Sequence, residues 1–282
     1  MNIQEQARKA EALRKLHQGP RILVLPNAWD VASARIVEEL GFPAIATTSA
    51  GIAFSLGYPD GQKISREEMF DVVGRIARAV SVPVSADSES GYGTTSKEMA
   101  ETARALVDAG AVGLNLEDLT GTQENPLVDT GLQTEKIGAI REASAAAGVP
   151  LVINARTDVY LKSVGPTETR FERTVERLRA YRKAGADCLF APGLKDAETI
   201  GKLVKAVNGP LNIVLLPGGP SLAELQNLGV ARVSIGSGLM RAGLGAAREI
   251  AKKMKELLDV TPFLEMAIPG AELNAMMRRN KD

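Results

Sequence analysis

This chain predicts an α/β fold, a closed TIM-type (β/α)8 barrel with a helix before it and a helical extension after it. Three observations carry the prediction. Eight short apolar runs, near residues 21–25, 43–47, 82–87, 111–116, 150–155, 187–191, 211–216 and 231–235, have the length and β-branched content of buried strands. Helical stretches at 66–80, 96–109, 134–147, 168–184, 196–207 and 221–228 lie between most of them, and such alternation implies parallel strands with right-handed crossovers. The rival, an open doubly wound sheet, carries G-x-G-x-x-G after its first strand, and none follows residues 21–25 here.

Each element has a local reason. Residues 3–17 alternate apolar and charged positions at helical spacing and read as a leading helix. After the first strand and Pro26-Asn27-Ala28-Trp29-Asp30, residues 30–40 form a helix with Asp30 as N-cap, ending at Gly41. The junctions Ala109-Gly110-Ala111, Ala184-Gly185-Ala186 and Leu228-Gly229-Val230 each end a helix on glycine and start a strand. Proline marks the same junction at Val82-Pro83, Val149-Pro150 and Gly209-Pro210. The Arg and Glu run at 168–179 reads as a solvated helix face. Behind the barrel, 241–258 and 263–277 read as two helices, the second with exposed Leu and Met positions. The expected organisation is one barrel domain over 1–282, with the tail 239–282 packing on another subunit in a homo-oligomer.

Composition narrows the function. Lys plus Arg and Asp plus Glu both number 34, so the formal net charge is zero, and no basic block points to nucleic acid. No apolar run reaches the ~20 residues of a membrane helix, and the N-terminus has no secretory apolar region. The lone cysteine, Cys188, excludes an internal disulfide. A soluble, cytoplasmic protein is expected. Cys188 lies in an apolar run and reads as inert core, and His17 reads as a surface or packing residue.

In a barrel of this kind, chemistry sits at the carboxyl ends of the strands. The 82–93 stretch is the most informative. Its strand ends in Asp87 and Glu89, spaced i, i+2, and in an extended chain such residues face one side. Paired carboxylates repel unless a cation lies between them, and hard oxygen ligands with waters suit Mg²⁺. The other ends offer Asn27-Ala28-Trp29-Asp30, Thr48-Ser49-Ala50-Gly51 with Asp60 beyond it, Asn115-Leu116-Glu117-Asp118 and Asn154-Ala155-Arg156-Thr157-Asp158. Acids with one arginine opposite suit an anionic, metal-chelating substrate. Trp29 reads equally as a barrel cap or a substrate contact. Asp118 and Asp158 read as groups that orient neighbours, and Gly236-Ser237-Gly238 as a close-packing helix start or a phosphate loop.

P-N-A-W-D at 26–30, T-S-A-G at 48–51, S-L-G-Y-P-D at 55–60, A-D-S-E-S-G-Y-G at 86–93, N-L-E-D at 115–118 and N-A-R-T-D at 154–158 together resemble the isocitrate lyase/phosphoenolpyruvate mutase superfamily, from about Leu13 to about Leu258. The resemblance implies a magnesium-dependent enzyme, with Mn²⁺ as a substitute, acting on a small 2-oxo or 2-hydroxy acid or a phosphonate through an enolate-like intermediate. It implies Asp87 as the direct metal ligand, with Asp60, Glu89 and Glu117 acting through metal-bound waters. Arg156 would bind a substrate carboxylate or phosphonate, and Ser49-Ala50-Gly51, preceded by Thr48, would cradle a carboxylate. It also implies a tetramer or dimer, with the C-terminal helix exchanged between subunits in the tetramer. In the family's acidic motif, D-x-D-x-G-Y-G, Glu89 here replaces the second Asp.

The chain departs from the family in the loop after strand four. Lyases carry K-K/R-C-G-H there and mutases K-K-N, whereas residues 119–129 contain no Cys, Lys or His. The acid–base group stays open among Glu124, Thr122, Asn125 and Tyr92. A Mg²⁺-dependent lyase is the first expectation. A mutase or hydrolase of phosphonates and a barrel that binds a 2-oxo acid without transforming it are the alternatives.

Overall fold

The computed structural model describes residues 2–278. Nine strands form one sheet: β1 (Leu23–Leu25), β2 (Asn27–Ala28), β3 (Ile45–Thr47), β4 (Val84–Asp87), β5 (Gly113–Glu117), β6 (Val152–Arg156), β7 (Cys188–Phe190), β8 (Leu211–Val214) and β9 (Arg232–Ser234). Every neighbouring pair is parallel, in the order β1-β9-β8-β7-β6-β5-β4-β3-β2. The two ends of that order are consecutive in the chain, so the sheet curls into a nearly closed barrel.

Nine strands rather than the expected eight follow from Pro26. Proline has no N–H to give a ladder, and it divides the first strand in two. Leu23–Leu25 pairs with β9, and Asn27–Ala28 pairs with β3. Pro26 still serves the sheet as an acceptor, taking the Ala46 N–H at 3.1 Å.

The helices are α1 (Ile3–Leu16), α2 (Val31–Glu39), α3 (Ser49–Ser55), α4 (Arg66–Ala79), α5 (Ser96–Asp108), α6 (Thr130–Ala146), α7 (Arg170–Lys183), α8 (Ala197–Val207), α9 (Leu222–Asn227), α10 (Gly238–Lys255), α11 (Thr261–Leu264) and α12 (Gly270–Arg278). Their starts obey local chemistry. Asp30, Ser65, Thr95 and Ser221 each close a capping box. No helix among the described residues is long and apolar enough to cross a membrane.

Two helical expectations change. The segment after β3 begins with a short helix, α3, started by Thr48, whose hydroxyl accepts the Gly51 N–H. Gly51 has to be glycine: a Cβ there would stand 2.6 Å from Thr48 Cγ2 and 3.0 Å from Trp29 Cβ. The predicted single helix over 263–277 is instead α11 and α12. Pro269 cannot donate a helical bond, and it disfavours helical geometry at Ile268 before it. Around this break Leu264 and Met266 are exposed, as is Leu257 before them, while Met276 on α12 is buried and α12 packs on α2.

The charged run on α7 is not all solvated, as expected above. Thr174, Arg177, Leu178 and Tyr181 form one buried stripe at helical spacing.

α1 closes the amino-terminal mouth of the barrel. Gln6 donates to the carbonyls of Val107 and Ala111. Leu13, fully buried, approaches β5 so closely that a Cβ on Gly113 would meet Leu13 Cδ2 at 2.9 Å. Burying one such leucine contributes about 2 kcal/mol. Beside it, Asp187 accepts from Arg14 at 2.9 Å, from the Ile153 N–H at 2.8 Å and from Arg141. Burial raises the Asp187 carboxyl, but Arg141, the Ile153 N–H and Arg14 together hold it below its ordinary value. His17 is buried, with Nδ1 2.8 Å from the Leu13 carbonyl, so packing is its role.

Along the strands, apolar residues alternate with polar ones. Ile153, Ile213 and Val233 belong to the apolar core, while Asn154, Asn212 and Arg232 beside them are buried polar groups. Arg232 on β9 lies within hydrogen-bond reach of Asn115 on β5, although these strands are not neighbours in the sheet. The polar set therefore fills the inside of the barrel. Cys188 is completely buried, and burial pushes its thiol up to about 12, which leaves it inert.

Candidate active site

At the carboxyl ends of the strands a cavity of about 730 Å³ is lined by Asp60, Asp87, Glu89, Glu117 and Arg156 together with Thr48, Ser49 and Ala50. Asp87 ends β4. Its Oδ2 accepts from the Ser49 N–H at 3.0 Å and the Ser49 hydroxyl at 2.8 Å, and its Oδ1 accepts from Asn115 Nδ2 at 3.2 Å. A carboxylate offers about four lone-pair positions, so these three bonds fix the group and leave one position on Oδ1.

Glu89 follows in a left-handed turn, with φ of 49° at Glu89, 91° at Gly91 and 57° at Tyr92. A non-glycine residue held there marks a constrained segment. The Glu117 N–H donates to the Glu89 carbonyl at 2.9 Å, and Lys136 on α6 donates to the Ser90 carbonyl at 2.6 Å. The Glu89 side chain is buried, and neither carboxylate oxygen has a hydrogen-bond partner. Burial, then the charges of Asp87, Glu117 and Asp60, push it up to about 8. Burial also lowers the Lys136 ammonium, to about 8, against the pull of Glu117.

Glu117 ends β5 and Arg156 ends β6. Glu117 Oε2 lies 2.9 Å from Arg156 Nη1. Burial raises the Glu117 carboxyl, Arg156 works against that, and the net shift is upward. Arg156 also aims Nε and Nη2 at Asp158 Oδ1, at 3.1 and 2.7 Å, and its guanidinium lies 5.7 Å from the centre of the Phe190 ring. Burial disfavours its charge, but Glu117 and Asp158 outweigh that and keep it cationic. Behind it runs a second line of support. Asp118 Oδ1 accepts the Asp158 N–H at 3.0 Å, and Asp118 Oδ2 accepts from Arg177 Nε at 2.8 Å and Tyr181 at 2.7 Å. Asp118 and Asp158 are thus positioning groups.

The remaining candidates scatter. Asp60 is exposed at the cavity rim. Trp29 is half-buried and packs on the core beside Gly51 without lining the cavity. Tyr92 packs edge-on against Phe70, and its buried hydroxyl has no partner and stands outside the cavity wall. Glu124 and Asn125 are exposed in a small excursion closed by the Leu119–Leu127 bridge, and of that stretch only Leu119 reaches the cavity. Gly236, Ser237 and Gly238 do line it, but Gly238 is also a packing glycine, because a Cβ there would meet Ile235 Cγ1 at 2.7 Å.

Two charged lining residues, Lys162 and Arg241, escaped sequence reasoning, and Asn115 and Asn27, named there only within their strand-end motifs, line the cavity too. Asn115 stands two residues before Glu117 in β5, so strand alternation was a usable signal. Asn27 Oδ1 accepts the N–H groups of Ile235 and Gly236, both at 2.9 Å, tying the β1–β2 junction to the start of α10.

The donor set fits a small hard cation. Glu89 contributes two buried oxygens with no partner, and Asp87 one lone-pair position on the cavity side. No group of three or more His, Cys, Asp or Glu among the described residues is placed to hold a metal ion.

A model of the phosphoenolpyruvate phosphomutase family matches residues 13–255. A solved structure from Burkholderia cenocepacia J2315 is 42% identical, covers 98% of this chain and 98% of that one, and superposes with a TM-score of 0.91. The oxaloacetate decarboxylase of Bradyrhizobium sp. strain BTAi1 is 30% identical, over 97% of this chain and 94% of its own length. The structure of a 2,3-dimethylmalate lyase is also 30% identical, over 95% of this chain and 94% of that one, with a TM-score of 0.82. The chain belongs to the isocitrate lyase/phosphoenolpyruvate mutase superfamily.

Proposed function

We propose that this enzyme is a Mg²⁺-dependent lyase that decarboxylates, or cleaves the C–C bond of, a small 2-oxo or 2-hydroxy di-acid, with Mn²⁺ able to substitute. The observation that carries this reading is that Arg156, paired with Glu117, lines one cavity together with Asp87 and Glu89. The names of two relatives, an oxaloacetate decarboxylase and a 2,3-dimethylmalate lyase, both specify small dicarboxylates.

Asp87 would hold the ion directly, and Asp60, Glu89 and Glu117 through its waters. When bound, the ion supplies Lewis-acid stabilisation of the negative charge that develops on the oxygen next to the broken bond. The chain's own residues do the rest. Arg156 spends Nε and one N–H of Nη2 on Asp158 and one N–H of Nη1 on Glu117, and the second N–H on each of Nη1 and Nη2 is left for a substrate carboxylate, a fork lysine cannot offer. Phe190 and Asp158 hold the guanidinium plane, so little side-chain freedom is lost when substrate arrives. Thr48, Ser49 and Ala50 form the wall beside Asp87, whereas Gly51, expected in the same cradle, is buried behind them against Trp29. Lys162 and Arg241 add positive charge to the same cavity and suit the second carboxylate. Leu119, Leu161 and Leu216 give it apolar walls that limit water.

Decarboxylation is the favoured form of the reaction. Releasing CO₂ needs the developing charge to be held and a proton returned afterwards. Cleaving a 2-hydroxy acid needs in addition a base for the hydroxyl proton. Among the described residues the lining holds no Cys or His and its lysine, Lys162, is exposed, while its carboxylates are assigned here to the metal and its waters. The same observation supports a second reading, a barrel that binds a 2-oxo acid without transforming it.

The test is turnover of oxaloacetate, 2-methylmalate-type acids and phosphono acids by the purified protein with Mg²⁺ or Mn²⁺. Metal-dependent loss of oxaloacetate supports the lyase. Metal-dependent binding by calorimetry with no product from any acid supports the second reading, and phosphonate turnover supports a mutase or hydrolase. The exposed apolar residues of the 239–282 tail, Leu257 and Met266 among them, are assigned to contact with further copies of the chain. Light scattering that returns a monomer mass would remove that part.

A further inference from the structure

We infer that Arg232 is a positioning residue for Asp87, acting across the inside of the barrel through the side chain of Asn115; the inference rests on the proposed Mg²⁺ site at Asp87. Among the described residues Arg232 is the largest completely buried side chain, and no carboxylate there pairs with it. Its Nη2 lies 3.3 Å from Asn115 Oδ1, while Nε and Nη1 have no hydrogen-bond partner. Burying a cation without an anion is costly. An apolar side chain of similar volume would fill the same space without that cost, so packing does not account for the guanidinium.

Orientation accounts for it. Asn115 has one end that accepts and one that donates; Asp87, which only accepts, and Arg232, which only donates, select the same sense from opposite sides, while the third neighbour leaves it open. Asn154 Nδ2 approaches Asn115 Oδ1 at 2.8 Å. Asn154 is itself an amide of either sense, and its Oδ1 has no partner. If both amides turned together, Asn154 would present its oxygen to the Asn115 NH₂ group, and Asn115 would present its own oxygen to Asp87. Arg232 has no acceptor atom, so it tolerates only Oδ1 on its side. That directs Asn115 Nδ2 at Asp87 Oδ1, 3.2 Å away. With Ser49 holding Oδ2 from the other side, the remaining lone pair of Oδ1 is the one left to the cavity. The relay thus runs from β9 through β5 to the end of β4, and each member is buried or nearly so.

The experiment is calorimetric titration of the metal-stripped full chain with MgCl₂, for wild type, R232M, N115L and the double variant, with thermal unfolding of each in parallel. Outer-shell partners of a metal ligand are commonly worth ~10–100-fold in affinity. R232M and N115L are each expected to weaken Mg²⁺ binding by that order, and the double variant to bind no more weakly than N115L, because Arg232 acts only through Asn115. A residue that merely supports the barrel would lower the melting temperature and leave Mg²⁺ affinity of the folded variant unchanged. R232M that binds within about twofold of wild type, or losses that multiply in the double variant, overturn the inference. If R232M does not fold, R232Q replaces it under the same two criteria. If neither folds, Arg232 serves stability and the inference is overturned. Wild type that binds no Mg²⁺ would instead strike the proposed metal site itself.

Discussion

Glu117 and Arg156 end adjacent strands in register, and their side chains meet at 2.9 Å. The pair joins the acidic and basic halves of the cavity through backbone pairing alone, with no loop involved. The position of the Arg156 guanidinium is therefore set by the sheet.

Arg156→Lys removes the fork and its stacking on Phe190 while keeping a positive charge. Losing a preorganised donor of this kind is worth roughly 10²–10³-fold in rate. The expected result is a fall in kcat/KM of that order on the best substrate, with the fold intact by circular dichroism. Unchanged kinetics would remove Arg156 from substrate binding.

Gly51→Ala places a methyl 2.6 Å from Thr48 Cγ2 and 3.0 Å from Trp29 Cβ. Relief requires the start of α3 to move, and Ser49 on that turn holds Asp87. Overpacking of this kind costs about 1–3 kcal/mol. Mg²⁺ affinity is expected to fall together with the melting temperature; a stability loss with unaltered affinity would show that the turn does not set Asp87.

The pH dependence of stability follows from Glu89. Burial, with Asp87, Glu117 and Asp60 adding to it, raises this carboxyl from its ordinary 4.5 to about 8. A raised folded-state value favours the protonated protein. The contribution is complete below about pH 4.5 and is lost as pH rises through about 8. Metal-free protein is therefore expected to lose melting temperature across that window, and the stabilisation by Mg²⁺ to grow over it, because binding displaces the proton. Thermal scans with and without Mg²⁺ at pH 6 and pH 8.5 check this. A gain that shrinks with pH contradicts it.

At the opposite mouth, Asp187→Asn leaves Arg14 and Arg141 without their shared anion. Breaking a largely buried pair costs about 3 kcal/mol, a fall of roughly 6–12 °C in Tm for a chain of this size. KM and Mg²⁺ affinity are expected to hold, since the clamp lies at the other end of the barrel from the cavity.

Much of this was legible in the chain. Glycine and proline punctuate the helix-to-strand junctions, so the strands were placed to within two or three residues, and the rule that chemistry sits at strand ends gathered Asp87, Glu89, Glu117 and Arg156. What escaped depended on tertiary context. Lys136 is a buried lysine inside α6, and Arg177 is a buried member of a charged run, and local composition makes both look solvated. The 174, 177, 178, 181 stripe was there to be counted on α7. Arg232 looked like any polar residue flanking a short strand, because a polar barrel interior leaves no apolar signature. Pro269 was a plain helix breaker, and the break between α11 and α12 needed no structure to foresee.

The most direct measurement is the rate of oxaloacetate loss by wild type and Asp87→Ala, each with saturating Mg²⁺ and with excess chelator. Rapid loss only in wild type with Mg²⁺, and background rates in the other three, is the predicted result. Turnover that survives both the chelator and the Asp87 substitution would contradict a metal-centred lyase.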